Sequence, residues 1–442
     1  MGREAELPLV HAASGEAFEV ASLWPALAAP FRGGAAMTPS NEGGMTVGLR
    51  HPDYEIVSEV GTGTLEIVTR PCGDLHELAE VHDAALARIV AAAWDAGALV
   101  LGYGMQPRTA ATAELLTRKP RYRALQQVLG PSWLPFASTA SDQCHVAVER
   151  HEAMEATDTV NLLTPMVIAL TANSPVAGNA DLGVCSGREA VMRATGLDTV
   201  SLDEGSAGTR VAARARHGMP EAPAHDWETH AARLLAHRTL IDVENAPLAG
   251  GSGCEWLTRR HSGELRAADG EVSDAAWEFF NKHEHYVWHS ARPRPAHGTL
   301  EVRAACQQPV EERHASPALA LGMVAGWRRV REAALAHLGG DLDRAWARCV
   351  EWHGRAAAHG LAAEAETPST GLISDVLDAC EEALHARGLG EEAHLAPLRR
   401  RAMKRESPAQ RARQVFRGGG VEALVRHAAF PEPLEEINRA FA

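Results

Sequence analysis

Four segments of the chain alternate apolar and polar residues with the period of a β-strand, and each carries ionisable side chains. They are GREAE at 2–6, SEVGTGTLEIVTRP at 58–71, CHVAVE at 144–149 and GTLEVR at 298–303. Because side chains two residues apart in a strand lie on the same face, Glu4 shares a face with Glu6, and Glu301 shares one with Arg303. The pattern predicts that acidic residues from distant parts of the chain lie on a β-sheet.

Segments with helical spacing separate these strands. Asp74 is placed to cap a helix, Glu77 follows three residues later as in a capping box, and apolar residues then recur at helical spacing until Gly97. Residues 158–172 have the pattern of a buried helix, and the chain from Ser316 onward is almost entirely helical in pattern. The sequence therefore predicts an α+β fold in which a sheet is interleaved with helices and followed by a helical region.

Two further strands are predicted at residues 98–104 and within residues 285–305. Residues 200–275 are rich in glycine, proline, alanine and charged residues, so we expect the longest loops there, with one helix near residues 226–237. The sequence has no internal repeat.

The composition favours a protein that acts on small molecules. The formal charge of −14 disfavours a nucleic acid or an anionic membrane as the main partner, because both need a basic footprint. The first residues lack the basic and apolar regions of an export signal, and no apolar run approaches the roughly 20 residues of a membrane span. The seven cysteines are odd in number and never spaced as CxxC, so we expect neither a disulfide framework nor a zinc knuckle, and a cytoplasmic location.

The polar faces of the predicted strands carry residue types that hold metal ions. A Gly-Thr-Gly turn separates Glu59 from Glu66 and could bring both to one end of a hairpin, and His145 shares a strand face with Glu149. Oxygen ligands from several adjacent strands can hold Mg²⁺ against the phosphates of a nucleotide. Each segment alone also has an ordinary explanation, namely the solvated face of a half-exposed sheet or a partly buried histidine.

Two other groups of residues are open to a functional and a structural explanation. A histidine cluster could indicate zinc, but its spacing does not place the side chains on one helix face; it comprises His283, His285, His289 and His297. A basic run between Arg399 and Arg417 favours a solvated helical face, with a nucleotide-facing role for one or two members as the alternative.

The segments occur in an order that resembles the type 2 glutamate-cysteine ligase family, whose members are carboxylate-amine ligases with a fold similar to that of glutamine synthetase. The resemblance includes LVLGYGMQP at 99–107, ALTANSPVAGNADLGVCSGRE at 169–189 and VWHSARPRPAHGTLEVRAACQQP at 287–309. It covers nearly the whole chain. It implies a largely antiparallel, curved sheet covered by helices in a catalytic domain at residues 1–315, with a helical region at residues 316–442 packed on the same domain.

The resemblance also implies roles for individual residues. The family's metal ligands correspond to Glu4, Glu6, Glu59, Glu66, His145 and Glu301. Its phosphate-binding arginine corresponds to Arg303, which is expected to act in catalysis with Glu66 and Glu301. Substrate-binding positions correspond to Arg188, Arg292 and Ser186. ATP and Mg²⁺ are the implied cofactors, and the implied reaction phosphorylates the side-chain carboxylate of glutamate so that cysteine or another amine can form an amide.

Other functions fit the same residues. With an amine other than cysteine, the enzyme would be a carboxylate-amine ligase of a biosynthetic pathway. A guanidino-type phosphotransferase has a similar sheet architecture but releases a stable phosphorylated product, and a binding or regulatory protein would keep the fold without turnover. In a ligase, the loops at 173–187 and 200–275 are candidates to shield an acyl phosphate from water. The sequence leaves open both the amine and the choice between a monomer and a homodimer.

Overall fold

A nine-stranded sheet, antiparallel at each of its strand pairs, lies at the centre of the computed structural model, which describes residues 1–195, 216–242, 272–366 and 371–434. The strands of the described residues are β1 (Gly2–His11), β2 (Thr38–Glu42), β3 (Met45–Arg50), β4 (Tyr54–Ser58), β5 (Thr64–Thr69), β6 (Ala98–Val100), β7 (Asp142–Ala147), β8 (Val176–Ala177), β9 (Ala180–Asp181), β10 (His217–Gly218), β11 (Trp288–His289), β12 (Ala291–Arg294) and β13 (Thr299–Val302). Across the large sheet the order is β12-β13-β7-β1-β5-β4-β3-β2, and β6 also pairs with β1. Strands β8 and β9 form one small pair, and β10 and β11 form another.

Helices account for most of the remaining regular structure, which confirms the predicted α+β class. They are α1 (Trp24–Ala28), α2 (Leu75–Asp95), α3 (Pro120–Leu129), α4 (Ala153–Leu162), α5 (Thr164–Thr171), α6 (Gly187–Ala194), α7 (Trp227–Ala236), α8 (Asp274–His285), α9 (Ala315–Ala325), α10 (Trp327–Leu338), α11 (Leu342–His359), α12 (Leu372–Ala386), α13 (Ala396–Lys404) and α14 (Pro408–Ala428). In the part of the chain that the structure describes, no helix has the length and apolar character needed to cross a membrane.

Helix α2 confirms the helix predicted after Asp74. The Asp74 carboxylate accepts a hydrogen bond from the backbone N–H of Glu77 at 2.8 Å, as an N-cap residue should. The Glu77 carboxylate accepts from the backbone N–H of Gly73 at 2.6 Å, one residue before the position that a capping box uses. The predicted helix near residues 226–237 is likewise present, as α7.

Other predicted elements differ in extent. The single helix expected at 158–172 is two helices, α4 and α5, because Pro165 lacks the backbone N–H that would continue α4 and suits the first turn of a new helix. The strand expected at 98–104 ends at Val100. Strand β7 ends at Ala147, so Glu149 lies beyond it and does not share a strand face with His145. Within 285–305, strand structure begins only at Trp288 because α8 continues to His285.

The two faces of strand β1 differ, because one packs against the hydrophobic core and the other carries acidic residues. Ala5, Leu7 and Leu9 are fully buried on one side, whereas Glu4 and Glu6 alternate with them on the other. The buried face continues across neighbouring strands through Ile56, Leu65, Ile67, Cys144, Val146, Leu300 and Val302. Helices α2, α4 and α9 pack on this side of the sheet. Burial of the apolar face therefore determines which way the acidic residues point.

The C-terminal helices share this core. Trp346 of α11 and Leu377 of α12 belong to the same hydrophobic cluster as Ile67 of the sheet. The boundary expected at residue 315 falls at the start of α9, which begins at Ala315. The division into a catalytic domain and a helical region remains a prediction.

Buried ion pairs connect the sheet to these helices. Arg3, which is 1% exposed, donates to both carboxylate oxygens of Asp142 in β7 at 2.7 and 3.0 Å and to the carbonyl oxygen of Arg313 at 2.6 Å. Arg313 in turn donates to both carboxylate oxygens of Asp83 in α2 at 2.9 and 2.6 Å. One chain of charged side chains therefore joins β1, β7, α2 and the start of α9.

Removal of one partner from this network should destabilise the fold strongly. We expect Arg3→Met to lower the free energy of unfolding by about 3–5 kcal/mol, because it leaves the Asp142 carboxylate buried without its counter-ion. Denaturant unfolding would measure the change. Arg329→Met, which removes a pair whose side chains are 68% and 59% exposed, is the control and should change the unfolding midpoint little. Equal effects of the two substitutions would contradict a structural role for the buried pair.

Candidate active site

The register of the strands brings most of the predicted site residues onto one face of the sheet. Glu6 in β1 lies opposite Glu66 in β5, and Glu301 in β13 lies opposite His145 in β7. On its other side, Glu301 lies opposite Arg292 in β12. Cross-strand neighbours on one face are close enough for their side chains to interact. Four segments that are distant in sequence therefore contribute to one polar surface.

The first group of possible metal ligands is Glu4, His145 and Glu301. One ligand atom from each of the three side chains lies within 4.8 Å of the others. Nε2 of His145 is 3.0 Å from Oε1 of Glu4, and Nδ1 is 3.3 Å from the hydroxyl of Thr299. The contact with Thr299 orients the imidazole ring, as partners of ligating histidines commonly do.

The predicted ligands Glu6, Glu59 and Glu66 are neighbours, because Glu6 lies opposite Glu66 and the carboxyl groups of Glu59 and Glu66 are hydrogen-bonded. Glu59 is the last residue before the turn between β4 and β5, and a hydrogen bond of 3.0 Å from its backbone N–H to the carbonyl of Thr64 closes that turn. A Cβ atom on Gly61 would lie 1.9 Å from the carbonyl oxygen of Ala137, so the turn needs glycine at this position. The Gly-Thr-Gly interruption thus allows the close backbone approach that places Glu59 beside Glu66.

The three carboxylates repel one another. Burial, followed by the charge of Glu59, raises the pKa of Glu6 to about 7. Burial also raises the pKa of Glu66 well above its usual value, with further contributions from Glu59, Glu4 and Glu6. A divalent cation bound beside these oxygen-bearing side chains would relieve the repulsion.

Glu301, in contrast, is stabilised in its ionised form. Burial alone would raise the pKa of its carboxyl, but the positive charges of Arg292 and Arg303 hold that pKa well below its usual value. Arg303 contacts the same carboxylate, as expected from their alternation. Burial lowers the pKa of Arg303, yet the charges of Glu301, Glu4 and Glu6 raise it overall, so the guanidinium remains a cation.

The two predicted substrate-binding arginines, Arg292 and Arg188, differ in how many of their nitrogens have hydrogen-bond partners. Arg292 donates to both oxygens of Glu301 at 2.7 and 3.1 Å. Its remaining nitrogen, Nη1, donates to the carbonyls of three residues at or near the end of α8, namely Glu284, His285 and Val287. Arg188 donates from Nη2 to the carbonyl of Arg303 at 3.1 Å, and its buried Nε has no partner in the described residues. Arg188 therefore has a donor available for a ligand, whereas Arg292 orients Glu301; the substrate role of each remains a prediction.

Ser186 is committed to local structure. Its hydroxyl accepts a hydrogen bond from the backbone N–H of Glu189 at 3.2 Å and so caps α6. The side chain is 2% exposed and lies 3.5 Å from the sulfur of Cys306. This geometry places Ser186 at the N-terminus of the helix that carries Arg188, and its contact with substrate stays a prediction.

Three side chains beside the acidic groups had no signal in the sequence. Gln143 donates to a carboxylate oxygen of Glu6 at 3.1 Å. Lys119 is buried at the start of α3, where its positive charge interacts with Glu59 and Glu66. His217 is buried near Arg188 and Arg303. Of the three, only Gln143 adjoins a segment predicted as a strand, the one at 144–149. The other two are brought to the site by contacts between distant segments.

The histidine cluster and the basic run identified in the sequence do not contribute to these clusters. His283 lies in α8 and contacts the carbonyl of Leu234 at 2.7 Å through Nε2. Several members of the basic run form ion pairs with acidic residues: Arg399 with Asp378 and Glu381, Arg401 with Glu312, and Arg413 and Arg417 with Asp181. Those arginines therefore stabilise contacts between segments of the fold.

Comparison with known proteins identifies the family of the chain. The family model described as glutamate-cysteine ligase family 2 matches residues 30–427. The chain belongs to this family. The match includes the positions of Glu59, Glu66, His145 and Glu301 and begins after β1.

Family relatives and solved structures resemble the chain to different extents. The chain is 29% identical over 248 residues to a putative glutamate–cysteine ligase 2-3 of Rubrobacter xylanophilus, covering 54% of this chain and 60% of the relative. It is 26% identical over 243 residues to a glutamate–cysteine ligase of Halobacterium salinarum, covering 54% and 58%. The matched region thus spans less than two thirds of the length of these relatives.

Two solved structures share the fold. A glutamate–cysteine ligase from Francisella tularensis in complex with AMP has a TM-score of 0.55 and 11% identity, over 100% of this chain and 88% of that one. A bifunctional glutathione synthetase from Pasteurella multocida has a TM-score of 0.53 and 14% identity, over 100% of this chain and 52% of the other.

Because the carboxyl groups of Glu6 and Glu66 have raised pKa values, we expect the effect of Mg²⁺ on the stability of the protein to depend on pH. In the unfolded chain Glu6 has a pKa near 4.5, and in the folded protein about 7, so between these values the folded state binds more protons. Without Mg²⁺, the contribution of this group to stability should be lost as pH rises through about 7. Bound Mg²⁺ should displace the proton and should therefore raise the melting temperature more at about pH 8 than at about pH 6.

Thermal melts with EDTA and with Mg²⁺ across this range would measure the effect, and Glu6→Gln should reduce its pH dependence. A Mg²⁺-induced shift that is the same at both pH values would contradict the assignment.

Proposed function

We propose that the protein is an ATP- and Mg²⁺-dependent carboxylate-amine ligase that joins glutamate to cysteine or another amine through an acyl phosphate. The observation that carries the proposal is the group of Glu4, His145 and Glu301, whose ligand atoms lie within 4.8 Å of one another, with the carboxyl groups of Glu6 and Glu66 and the guanidinium of Arg303 on the same face of the sheet. Membership of glutamate-cysteine ligase family 2 supports the reaction class. The AMP bound to the structural neighbour supports a nucleotide substrate.

The residues present fit the cofactor. Glu6, Glu59 and Glu66 form an all-oxygen set of the kind that Mg²⁺ prefers, and Glu4, His145 and Glu301 form a neighbouring set. Bound Mg²⁺ would neutralise phosphate charge and orient the nucleotide. Cations are needed here because the chain carries a formal charge of −14 and its substrates are anions.

Two arginines, Arg303 and Arg188, are suited to bind the phosphate and carboxylate groups of the substrates. A carboxylate is a poor electrophile, and it becomes reactive when one oxygen takes a phosphoryl group from ATP. Arg303 is held in place by Glu301 and is suited to bind phosphate oxygens, because a guanidinium presents several donors in one plane. The positive charge of Arg188 lowers the pKa of Glu6, and its Nε has no partner in the described residues, so Arg188 is suited to hold an anionic substrate beside these carboxyl groups. Catalysis then depends on positioning and charge stabilisation.

The substrates are small molecules on this proposal. The cytoplasmic location remains a prediction from the sequence, which leaves open the amine acceptor and the choice between a monomer and a homodimer.

Substitution of single ligands should abolish the first step. We expect Glu66→Gln and Glu301→Gln each to reduce glutamate-dependent ADP formation by at least about 100-fold, because each removes a charged ligand while keeping the side-chain volume. Glu55→Gln is the matched control, since Glu55 lies on the same sheet with its side chain 43% exposed and outside both clusters. Near-normal turnover of both variants at limiting Mg²⁺ would show that these residues are not ligands.

Isotope labelling would test the acyl phosphate itself. With glutamate labelled by oxygen-18 in its side-chain carboxylate, one label should appear in inorganic phosphate, because that oxygen leaves with the phosphoryl group. Mass spectrometry of phosphate and product would measure the transfer. Amide formed with unlabelled phosphate would rule out the acyl phosphate, and a stable phosphorylated amine or guanidine would indicate a phosphotransferase.

A further inference from the structure

The two ring nitrogens of His217 are buried without a hydrogen-bond partner in the described residues, and stacking of the ring does not explain this. The residue is 5% exposed. Its ring stacks on Trp288 at 4.8 Å between centroids and 6° between planes, and it lies 5.2 Å from the ring of Phe136. Buried polar groups are nearly always hydrogen-bonded. An imidazole that is held by its faces and has free nitrogens is therefore available to a ligand.

A series of hydrogen bonds connects the backbone around His217 to the proposed active site. Strand β10, which contains His217, pairs with β11, and the backbone N–H of Ser290 donates to the carbonyl of Gly218 at 2.9 Å. The carbonyl of Ser290 accepts from the backbone N–H of Arg303 at 2.7 Å, and the carbonyl of Arg303 accepts from Arg188 at 3.1 Å. The imidazole thus lies beside the two arginines proposed to bind phosphate and carboxylate groups.

The position of this segment is fixed. Gly218 has a φ of +68°, and a Cβ atom there would lie 2.7 Å from Cε1 of His353 and 3.1 Å from a carboxylate oxygen of Glu189. His353 and Glu189 are themselves paired at 2.6 Å, between α11 and α6. Only glycine fits at residue 218, so the neighbouring imidazole is held in a defined place.

The charges around the ring favour its neutral form. Burial holds the pKa of His217 well below its usual value, and the cationic groups that face it lower that pKa further: Arg216, His289, Arg303 and Arg188. The paired Glu189 and His353 border the same segment behind Gly218. A neutral imidazole has one nitrogen that can accept a proton.

We propose that His217 binds the ammonium group of the acceptor substrate and takes its proton during amide formation. The proposal rests on the ligase function inferred above. An ammonium group has no lone pair and cannot attack a carbonyl carbon. Transfer of one proton to a ring nitrogen of His217 frees that pair, which forms the new C–N bond, while the C–O bond to phosphate breaks and its electrons remain on the phosphate oxygen.

The completed reaction is balanced in charge and protons. The second proton lost by nitrogen passes to solvent or to the released phosphate, and His217 returns to its neutral form by losing its proton in the same way. Arg216, His289, Arg303 and Arg188 oppose protonation of the ring when no anion is present. Phosphate groups bound to Arg188 and Arg303 would offset part of this opposition and favour formation of the imidazolium at this step.

Acceptors that differ in protonation would test this role. An amino-acid amine is an ammonium ion at neutral pH, whereas hydroxylamine is already unprotonated. In His217→Gln and His217→Phe, amide formation with an amino-acid acceptor should fall about 100-fold or more, while hydroxylamine should still yield the hydroxamate and glutamate should still support ADP release. The loss with the amino acid should diminish as pH is raised, because more of the amine is then unprotonated in solution.

Controls separate this role from a structural one. His217→Phe keeps an aromatic ring against Trp288, and His151→Gln removes a histidine whose side chain is 78% exposed and should leave both products unchanged. Equal losses with the amino acid and with hydroxylamine, or no loss with either, would overturn the role of His217. Failure of the wild-type protein to form amide and hydroxamate would instead reject the ligase function, and this role with it.

Discussion

Three carboxylates, those of Glu6, Glu59 and Glu66, crowd together on a face of the sheet where burial disfavours charge. Their repulsion has to be offset by protons, by nearby cations or by bound metal. Neighbouring side chains provide some of this stabilisation. Lys119 places a buried positive charge beside Glu59 and Glu66. Gln143 directs a donor at Glu6. An arrangement that is unfavourable without a ligand is well suited to bind one, because the free energy of binding includes relief of the repulsion.

Residues of one type have different tasks at this site, and the difference follows from their hydrogen bonds. Arg292 uses all three of its guanidinium nitrogens within the protein, so its charge fixes the position and ionisation of Glu301. Within the described residues, the guanidinium of Arg188 donates to the carbonyl of Arg303, and its buried Nε has no partner. A motif can place both arginines near the substrate, but only the three-dimensional environment distinguishes an orienting residue from one that can contact a ligand.

The sequence predicts those features that depend on local periodicity. Alternation in GREAE and GTLEVR places Glu4, Glu6 and Glu301 on strands, and the cap at Asp74 marks the start of a long helix. Local patterns do not reveal which residues of different strands lie opposite each other, so the pairing of Glu6 with Glu66 is visible only in the fold. His217 could not be predicted for the same reason, since its importance comes from Trp288, Arg188 and Arg303 in other segments. Proline explains the division of the helix expected at 158–172, where Pro165 begins a new helix.

The buried bonds of Arg3 also have a consequence for how the chain is made. Its guanidinium contacts a backbone carbonyl 310 residues further along the chain, and the strand that contains it pairs with β7 in the middle of the sequence. During synthesis, the first strand leaves the ribosome long before either partner exists, and contacts of such large sequence separation form slowly. Strands β5 and β6, which also pair with β1, are made much earlier than residue 313. The sheet around β1 can therefore begin to form before the buried bond from Arg3 to the carbonyl of Arg313, which is expected to form late in synthesis or after the chain is released.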